Sequence, residues 1–100
     1  MGGELKGPGG FKLGVVVATS RAREAFSGSY LASCVTRHAS GDWGDLTEKE
    51  RRLNDLALEE GEPLVSFYRH PVGERGLYII TTAERSKTTI LLPEEYGGRQ

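Results

Sequence analysis

The chain has 100 residues, which is enough for one domain with one hydrophobic core and too few for two. Its 13 Lys and Arg residues nearly balance its 14 Asp and Glu residues, and the net charge of −1 disfavours binding to nucleic acid or to an anionic membrane. The single cysteine excludes an internal disulfide and a multi-cysteine zinc site, and no secretory leader or membrane-spanning apolar run is seen, so we expect a cytoplasmic protein.

The first predicted elements are a tail and a strand. Residues 1–10 contain five glycines and a proline and show no apolar period, so we expect a flexible N-terminal tail. Residues 11–19 are rich in valine, which is typical of a largely buried strand. We therefore predict a single domain over residues 11–96, followed by a short C-terminal tail at 97–100.

Two short helices are predicted next. Thr19 or Ser20 has the side-chain oxygen that is needed to cap the first of them. Gly28 is suited to end this helix, and Ser29 is suited to cap a second helix over residues 30–39.

A third helix and three strands complete the predicted fold. Residues 47–50 form a Thr-Glu capping box, and apolar residues at helical spacing continue until Gly61, which predicts an amphipathic helix. Strands are predicted at residues 64–70, 77–82 and 88–92, joined by hairpin loops. The sequence thus predicts an α+β domain, in which an antiparallel sheet of about four strands carries about three helices packed mainly on one face.

The predicted strands are apolar on both faces of the sheet. Leu77 and Ile79 point to one face, whereas Tyr78 and Ile80 point to the other. Three short helices suffice to cover one face of such a sheet and not both. The second face is therefore expected to be shielded by the tails or used for association, and we predict that a protein partner or a homodimer contact occupies it.

Residues 38–45, His-Ala-Ser-Gly-Asp-Trp-Gly-Asp, bring an imidazole, an indole and two carboxylates into one glycine-rich loop. Each of these side chains has a sufficient structural role: His38 at a helix end, Trp43 as an apolar lid, and Asp42 and Asp45 as acceptors for loop amides. The spacing matches no standard metal motif and no catalytic triad. No metal and no other cofactor is therefore expected.

Six segments of the chain contain motifs whose order along the sequence is specific. They are residues 13–19, 37–46, 54, 64–68, 79–86 and 88–96, and they include the motifs Gly-Asp-Trp-Gly-Asp and Ile-Leu-Leu-Pro-Glu-Glu-Tyr. This order resembles a family of small bacterial proteins labelled plasmid-related proteins, over most of the chain from Phe11 to Tyr96. The resemblance implies association with plasmids, phages and other mobile elements, and it implies no established activity. The chain departs from the family's usual residues at Thr82, Glu84 and Tyr78, which weakens a catalytic role for the second hairpin loop.

Two functions remain open at this point. The preferred one is a non-enzymatic protein-interaction module, in which the loop at 42–45 and the second hairpin loop form a recognition surface with Trp43 as its aromatic anchor. The side chains of that surface are His38, Asp42, Trp43, Asp45, Glu84 and Arg85. The alternative is a small metal-dependent hydrolase or nuclease, in which His38, Asp42 and Asp45 supply a nitrogen and two carboxylates to a divalent metal.

Overall fold

The computed structural model describes residues 11–73 and 75–97. The elements in chain order are β1 Val15–Ala18, α1 Ser20–Ala25, α2 Gly28–Ala39, α3 Glu48–Glu60, β2 Leu64–Arg69, β3 Gly76–Thr81, β4 Lys87–Leu91 and α4 Pro93–Gly97. The predicted α+β class with four strands is confirmed. The predicted tail at 1–10 and residues 98–100 of the predicted C-terminal tail lie outside the described residues.

The four strands form one mixed sheet in the order β1-β4-β3-β2. β2, β3 and β4 make an antiparallel meander, in which Ile79 of β3 lies between Ser66 of β2 and Ile90 of β4. β1 lies beside β4 and runs parallel to it, with Ala18 next to Ile90. The prediction of an antiparallel sheet is therefore wrong for β1. The pairing of β1 with β4 joins residues from opposite ends of the described chain, and no local sequence pattern predicts such a contact.

The first two helices begin where side-chain oxygens cap them. Thr19 accepts a hydrogen bond from the Ala22 N–H and caps α1, as predicted. α2 begins earlier than predicted, because Ser27 accepts a hydrogen bond from the Tyr30 N–H and caps the helix. Gly28 is consequently the first residue of α2 and not the end of α1.

α3 confirms the predicted capping box. The Thr47 and Glu50 side chains each accept a hydrogen bond from the other residue's backbone N–H, and Gly61 ends the helix with a φ of 72°. The apolar stripe of this helix is only partly buried. Leu53 is 56% exposed, whereas the polar residue beside it, Asn54, is buried.

The sequence does not predict α4, which follows β4 directly. Pro93 lies at its first position, where the missing N–H leaves no helical hydrogen bond unmade. The Glu95 carboxylate accepts a hydrogen bond from the Leu92 N–H at 2.8 Å and so holds the start of the helix. The Tyr96 ring then packs against Tyr78, with 4.7 Å between ring centroids.

The main core lies between the sheet and the first two helices. Its buried residues are Ala22, Phe26, Leu31, Cys34, Tyr68, Leu77, Ile79, Ile90 and Leu92. A second buried cluster near α3 contains Phe11, Leu13, Trp43 and Leu64. α1 and α2 thus cover one face of the sheet, the inner face, while α3 lies along the β2 edge and α4 lies on the opposite, outer face. Within residues 11–73 and 75–97, no helix combines the length and the apolar character that a membrane crossing requires.

Candidate functional site

Residues 41–45, here called the edge segment, lie along the free edge of β2. Phe67 donates its N–H to the Trp43 C=O at 3.2 Å and accepts a hydrogen bond from the Asp45 N–H at 2.7 Å. Gly44 is thereby paired with Phe67 in a one-residue parallel bridge. The edge segment therefore covers the middle of a strand edge whose backbone groups would otherwise be open.

Two side chains extend this cover to both ends of β2. The Asn54 side-chain amide donates to the Val65 C=O and accepts from the Val65 N–H. The Asp45 carboxylate accepts from the Arg69 N–H at 2.8 Å. Because backbone groups alternate in direction along a strand, Val65, Phe67 and Arg69 are the residues of β2 that face away from β3. All three N–H groups on this edge have partners.

Gly44 is required by the close approach of the edge segment to β2. Its φ is 82°, in the left-handed region that favours glycine. A Cβ added there would lie 2.1 Å from the Phe67 carbonyl oxygen and 2.7 Å from the Tyr68 ring. The second glycine of the Gly-Asp-Trp-Gly-Asp motif is thus explained by contact with β2.

Trp43 is buried and is not part of the protein surface. It is 3% exposed, its ring stacks on Phe11 with centroids 6.1 Å apart, and its Nε1–H donates to the Asp55 carboxylate at 2.9 Å. The residue connects the edge segment to α3 from within the core. Its indole is therefore not available as the anchor of a surface contact.

His38 is fully buried within a chain of hydroxyl groups. Thr88 donates to the Leu13 C=O at 2.7 Å, and its oxygen lies 2.8 Å from that of Thr81. Thr81 therefore donates to Thr88 and accepts from His38 Nε2 at 2.8 Å, which leaves Nδ1 to accept from the Ser66 hydroxyl at 2.6 Å. Both ring nitrogens of a neutral imidazole are used by this chain.

Burial lowers the pKa of His38 to about 4, because the imidazolium form would lose its hydration, and the positive charge of Arg85 acts in the same direction. The side chain is therefore neutral near pH 7. With no exposed surface, it has no access to a proton of a bound molecule. The position supports a structural role for the imidazole.

Asp42 is held by an ion pair on the surface. The Arg37 Nε–H donates to its carboxylate at 2.7 Å, the Gly44 N–H donates at 3.1 Å, and the hydrogen bond from Arg37 lowers the pKa of the carboxyl. The Arg37 guanidinium also lies over the Tyr68 ring, 4.6 Å from its centroid. These contacts shape the turn into the edge segment.

The second hairpin loop is tied to α3 by Arg85. This residue has a φ of 60°, and its guanidinium donates to the Glu62 C=O at 2.7 Å and to the Thr82 C=O at 3.0 Å. Glu84 is exposed, and its carboxylate accepts from the Ser86 hydroxyl at 3.1 Å. Arg85 thus acts as a brace between the loop and the end of α3.

The six predicted site residues do not form one polar centre. In residues 11–73 and 75–97, no group of three or more His, Cys, Asp and Glu side chains is placed to hold a metal ion. Both nitrogens of His38 bond to hydroxyl groups, while Asp42 bonds to Arg37 and Asp45 to the Arg69 N–H. The structure therefore shows these three side chains engaged in stabilising contacts.

A groove of about 400 Å³ lies on the outer side of the sheet, next to the edge segment. Its lining residues come from the edge segment, α3, β2, β3 and α4: Asp45, Leu46, Glu50, Leu53, Asn54, Val65, Phe67, Tyr78 and Tyr96. Among the six predicted residues, only Asp45 lines it. Sequence reasoning did point to the outer face through Tyr78, but it missed α4 and the approach of α3.

The groove is aromatic along its floor and acidic at its rim. Phe67, Tyr78 and Tyr96 form a row, with ring centroids 4.9 Å and 4.7 Å apart. The Asp45 and Glu50 carboxylates accept hydrogen bonds from backbone groups, and neither forms an ion pair with a described cationic side chain. The arrangement is suited to contact an apolar group that lies beside a positive charge.

Comparisons with known proteins give no assignment. No protein-family model, no curated protein and no solved structure matches the chain. The resemblance to plasmid-related proteins therefore stays a prediction, and the geometry of the groove is the basis for a functional proposal.

Proposed function

We propose that this protein is a non-enzymatic interaction module, whose outer groove binds a protein segment that carries basic and apolar side chains. The observation that carries the proposal is the aromatic row at the groove floor, flanked by the carboxylates of Asp45 and Glu50. Interfaces obtain much of their free energy from a few aromatic or apolar contacts. Opposite charges at the rim add orientation and specificity.

Leu53 strengthens the case for the groove. It is 56% exposed, although the next residue, Asn54, is buried and hydrogen-bonded to Val65 of β2. An exposed apolar side chain next to the partly exposed rings of Phe67 and Tyr78 forms a patch that a partner side chain can cover. We therefore place the anchor of the interaction between Leu53, Phe67 and Tyr78.

The groove replaces the loop surface around Trp43 as the proposed recognition surface. Trp43 and His38 are buried, whereas Asp45 contributes to the rim. The hydrolase alternative receives no support, because His38, Asp42 and Asp45 are each engaged by hydrogen bonds that build the fold. Following the resemblance in sequence, we propose that the module serves a mobile element in the bacterial cytoplasm.

The test begins with a random peptide library displayed on phage. Selection on the wild-type protein is expected to enrich peptides in which Arg or Lys lies next to Leu, Phe or Trp, because such peptides match the groove in charge and polarity. Synthetic peptides from the selection are then titrated into Leu53→Lys and Leu56→Lys variants by calorimetry. Leu56 is a matched control, since it is on the same helix and 49% exposed but does not line the groove.

The Leu53→Lys change is expected to weaken peptide binding by about tenfold or more, because it removes an apolar contact and introduces a positive charge. The Leu56→Lys protein is expected to bind like the wild type. Circular dichroism checks that both variants are folded. Equal binding by all three proteins, or selection of peptides without basic residues, would contradict the proposal.

A further inference from the structure

The second edge of the sheet, at β1, is open within the described chain. The N–H groups of Val15 and Thr19 donate to β4 and the turn before it, at the carbonyls of Ser86 and Ile90. In a parallel ladder, alternate residues direct both backbone groups to the same neighbour. Val16 and Ala18 therefore direct their N–H and C=O groups away from the sheet.

Only one described side chain reaches this edge. Arg23 donates to the Ala18 C=O at 3.4 Å, which is a long hydrogen bond and leaves the second lone pair of that oxygen available. For the other outward groups of β1, the described residues provide no hydrogen-bond partner. This edge thus differs from that of β2, where all N–H groups are bonded.

β1 is also the most exposed apolar strand of the described sheet. Val15, Val16 and Val17 are 66%, 43% and 37% exposed. Residues 13–20 contain no charged side chain, and proteins ordinarily prevent pairing at an edge strand by placing a charge or a proline on it. An uncharged strand with valines on both faces is a template for strand addition.

We propose that a second copy of this chain pairs with β1 in antiparallel orientation, which joins the two sheets into one of eight strands. A second copy fits because the valine run is nearly symmetrical about its centre and carries no charge that would repel its own image. α1, which follows β1 directly, exposes Arg21, Arg23 and Glu24, so the surface beside β1 carries charges of both signs. The proposal is independent of the groove, which lies at the other edge of the sheet.

The open backbone groups favour one register. Centring the pair on Val17 places Val16 opposite Ala18 of the second copy, and both residues use their outward N–H and C=O groups. Valine side chains then face each other across the junction on the outer face. Gly14 limits the paired region, because its φ of 67° is incompatible with extended backbone. A short strand pair with apolar contacts on both faces results.

Two substitutions test the interface without affecting the β1–β4 pairing. Val15→Glu places a charge on the exposed strand, and Val16→Pro removes an N–H that points away from β4. The matched control is Val72→Glu, because Val72 is an exposed valine at 76% in the β2–β3 loop. Sedimentation equilibrium of the full chain is expected to give the mass of two chains for the wild type and Val72→Glu, and of one chain for Val15→Glu and Val16→Pro.

Amide hydrogen exchange identifies the surface that is involved. Val16 and Ala18 N–H groups are expected to exchange more slowly as protein concentration rises, while those of the Val15→Glu variant show no such dependence. A wild-type protein that sediments as one chain at millimolar concentration would overturn the proposal. Protection of the Val16 N–H in the Val15→Glu variant as strong as in the wild type would also overturn it, because another part of the same chain would then cover the edge. A dimer that persists in both variants would place the contact elsewhere.

Discussion

β2 and β1 are the two edge strands of one sheet, and other parts of the described chain close only β2. At β2, the edge segment and Asn54 supply partners for the outward backbone groups of Val65 and Phe67, and Asp45 accepts the N–H of Arg69. At β1, three exposed valines border backbone groups that point away from the sheet.

The residues that attract attention in the sequence have other roles in the folded protein. A tryptophan, a histidine and two aspartates close together suggest a site, yet they serve to close one edge of the sheet and anchor its cover in the core. A run of valines suggests an ordinary buried strand, yet it is the most exposed strand of the sheet. Reactive or aromatic residue types in this chain therefore do not indicate which side chains are accessible to a partner.

The largest expected effect comes from blocking the approach of the edge segment to β2. Gly44→Ala is expected to lower the free energy of unfolding by about 4 kcal/mol, because its Cβ would overlap the Phe67 carbonyl and its φ is positive. Urea denaturation measures the change. Gly61→Ala is the control: its φ is also positive, but nothing lies within 4 Å, so we expect a loss of about 1 kcal/mol. Equal losses would show that contact with β2 is unimportant.

The second largest effect is the pH dependence of stability caused by His38, which is buried in the chain of hydroxyl groups. His38 has a pKa of about 4 in the folded protein and an ordinary value of 6.5 when unfolded, so the unfolded chain binds more protons between these values. The contribution of neutral His38 to the free energy of unfolding is therefore fully present above pH 6.5. It falls by about 3 kcal/mol as the pH decreases from 6.5 to 4.

Unfolding free energies measured from pH 7 to pH 4 check this prediction. The His38→Gln protein keeps a neutral side chain with a donor and an acceptor, and its stability is expected to vary less over this range. An equal pH dependence in both proteins would assign the loss to other groups.

A smaller effect is expected at the end of the closed edge. Asn54→Ala removes both partners of the Val65 backbone, and leaving these groups unpaired is expected to cost about 2 kcal/mol. Glu59→Ala on the same helix changes an exposed residue and serves as control, with an expected change within about 0.5 kcal/mol. Thermal unfolding compares the two, and indistinguishable midpoints would mean that Asn54 is dispensable for closing the edge.

The smallest effect is expected from the exposed ion pair beside the edge segment. Asp42→Asn retains an acceptor for the Gly44 N–H but loses the charge that pairs with Arg37. Both partners are about half exposed, so we expect a loss of about 0.5 kcal/mol, reduced further by salt. Denaturation at low and high ionic strength measures it. A loss as large as that of Gly44→Ala would mean that the ion pair holds the edge segment as strongly as the close approach at Gly44 does.

Local chemistry was enough to predict much of the fold. The capping box of Thr47 and Glu50, the left-handed Gly61 and the cap at Thr19 involve residues within one helical turn, and they occur as predicted. The antiparallel meander follows from strand patterns separated by short loops. The start of α2 differs because Ser27 and Ser29 are both good caps, and the local sequence does not rank them.

The candidate site was predicted less well, because it depends on contacts between distant elements. The groove needs α4 to bring Tyr96 onto Tyr78, and it needs α3 to approach β2 through Asn54. Neither contact has a signature within one stretch of sequence. The sequence did indicate that the outer face would be apolar, since Tyr78 and Ile80 alternate with Leu77 and Ile79.

By itself, the sequence determined the α+β class, the sites of most helix ends and the presence of apolar residues on both faces of the sheet. These properties depend on propensity, capping and periodicity, which act over a few residues. Only the tertiary structure decided that β1 pairs in parallel with β4, that Trp43 and His38 are buried, and that the described residues close one edge of the sheet and leave the other open. Those outcomes depend on hydrogen bonds and packing between residues far apart in the chain, where many pairings have the same local pattern.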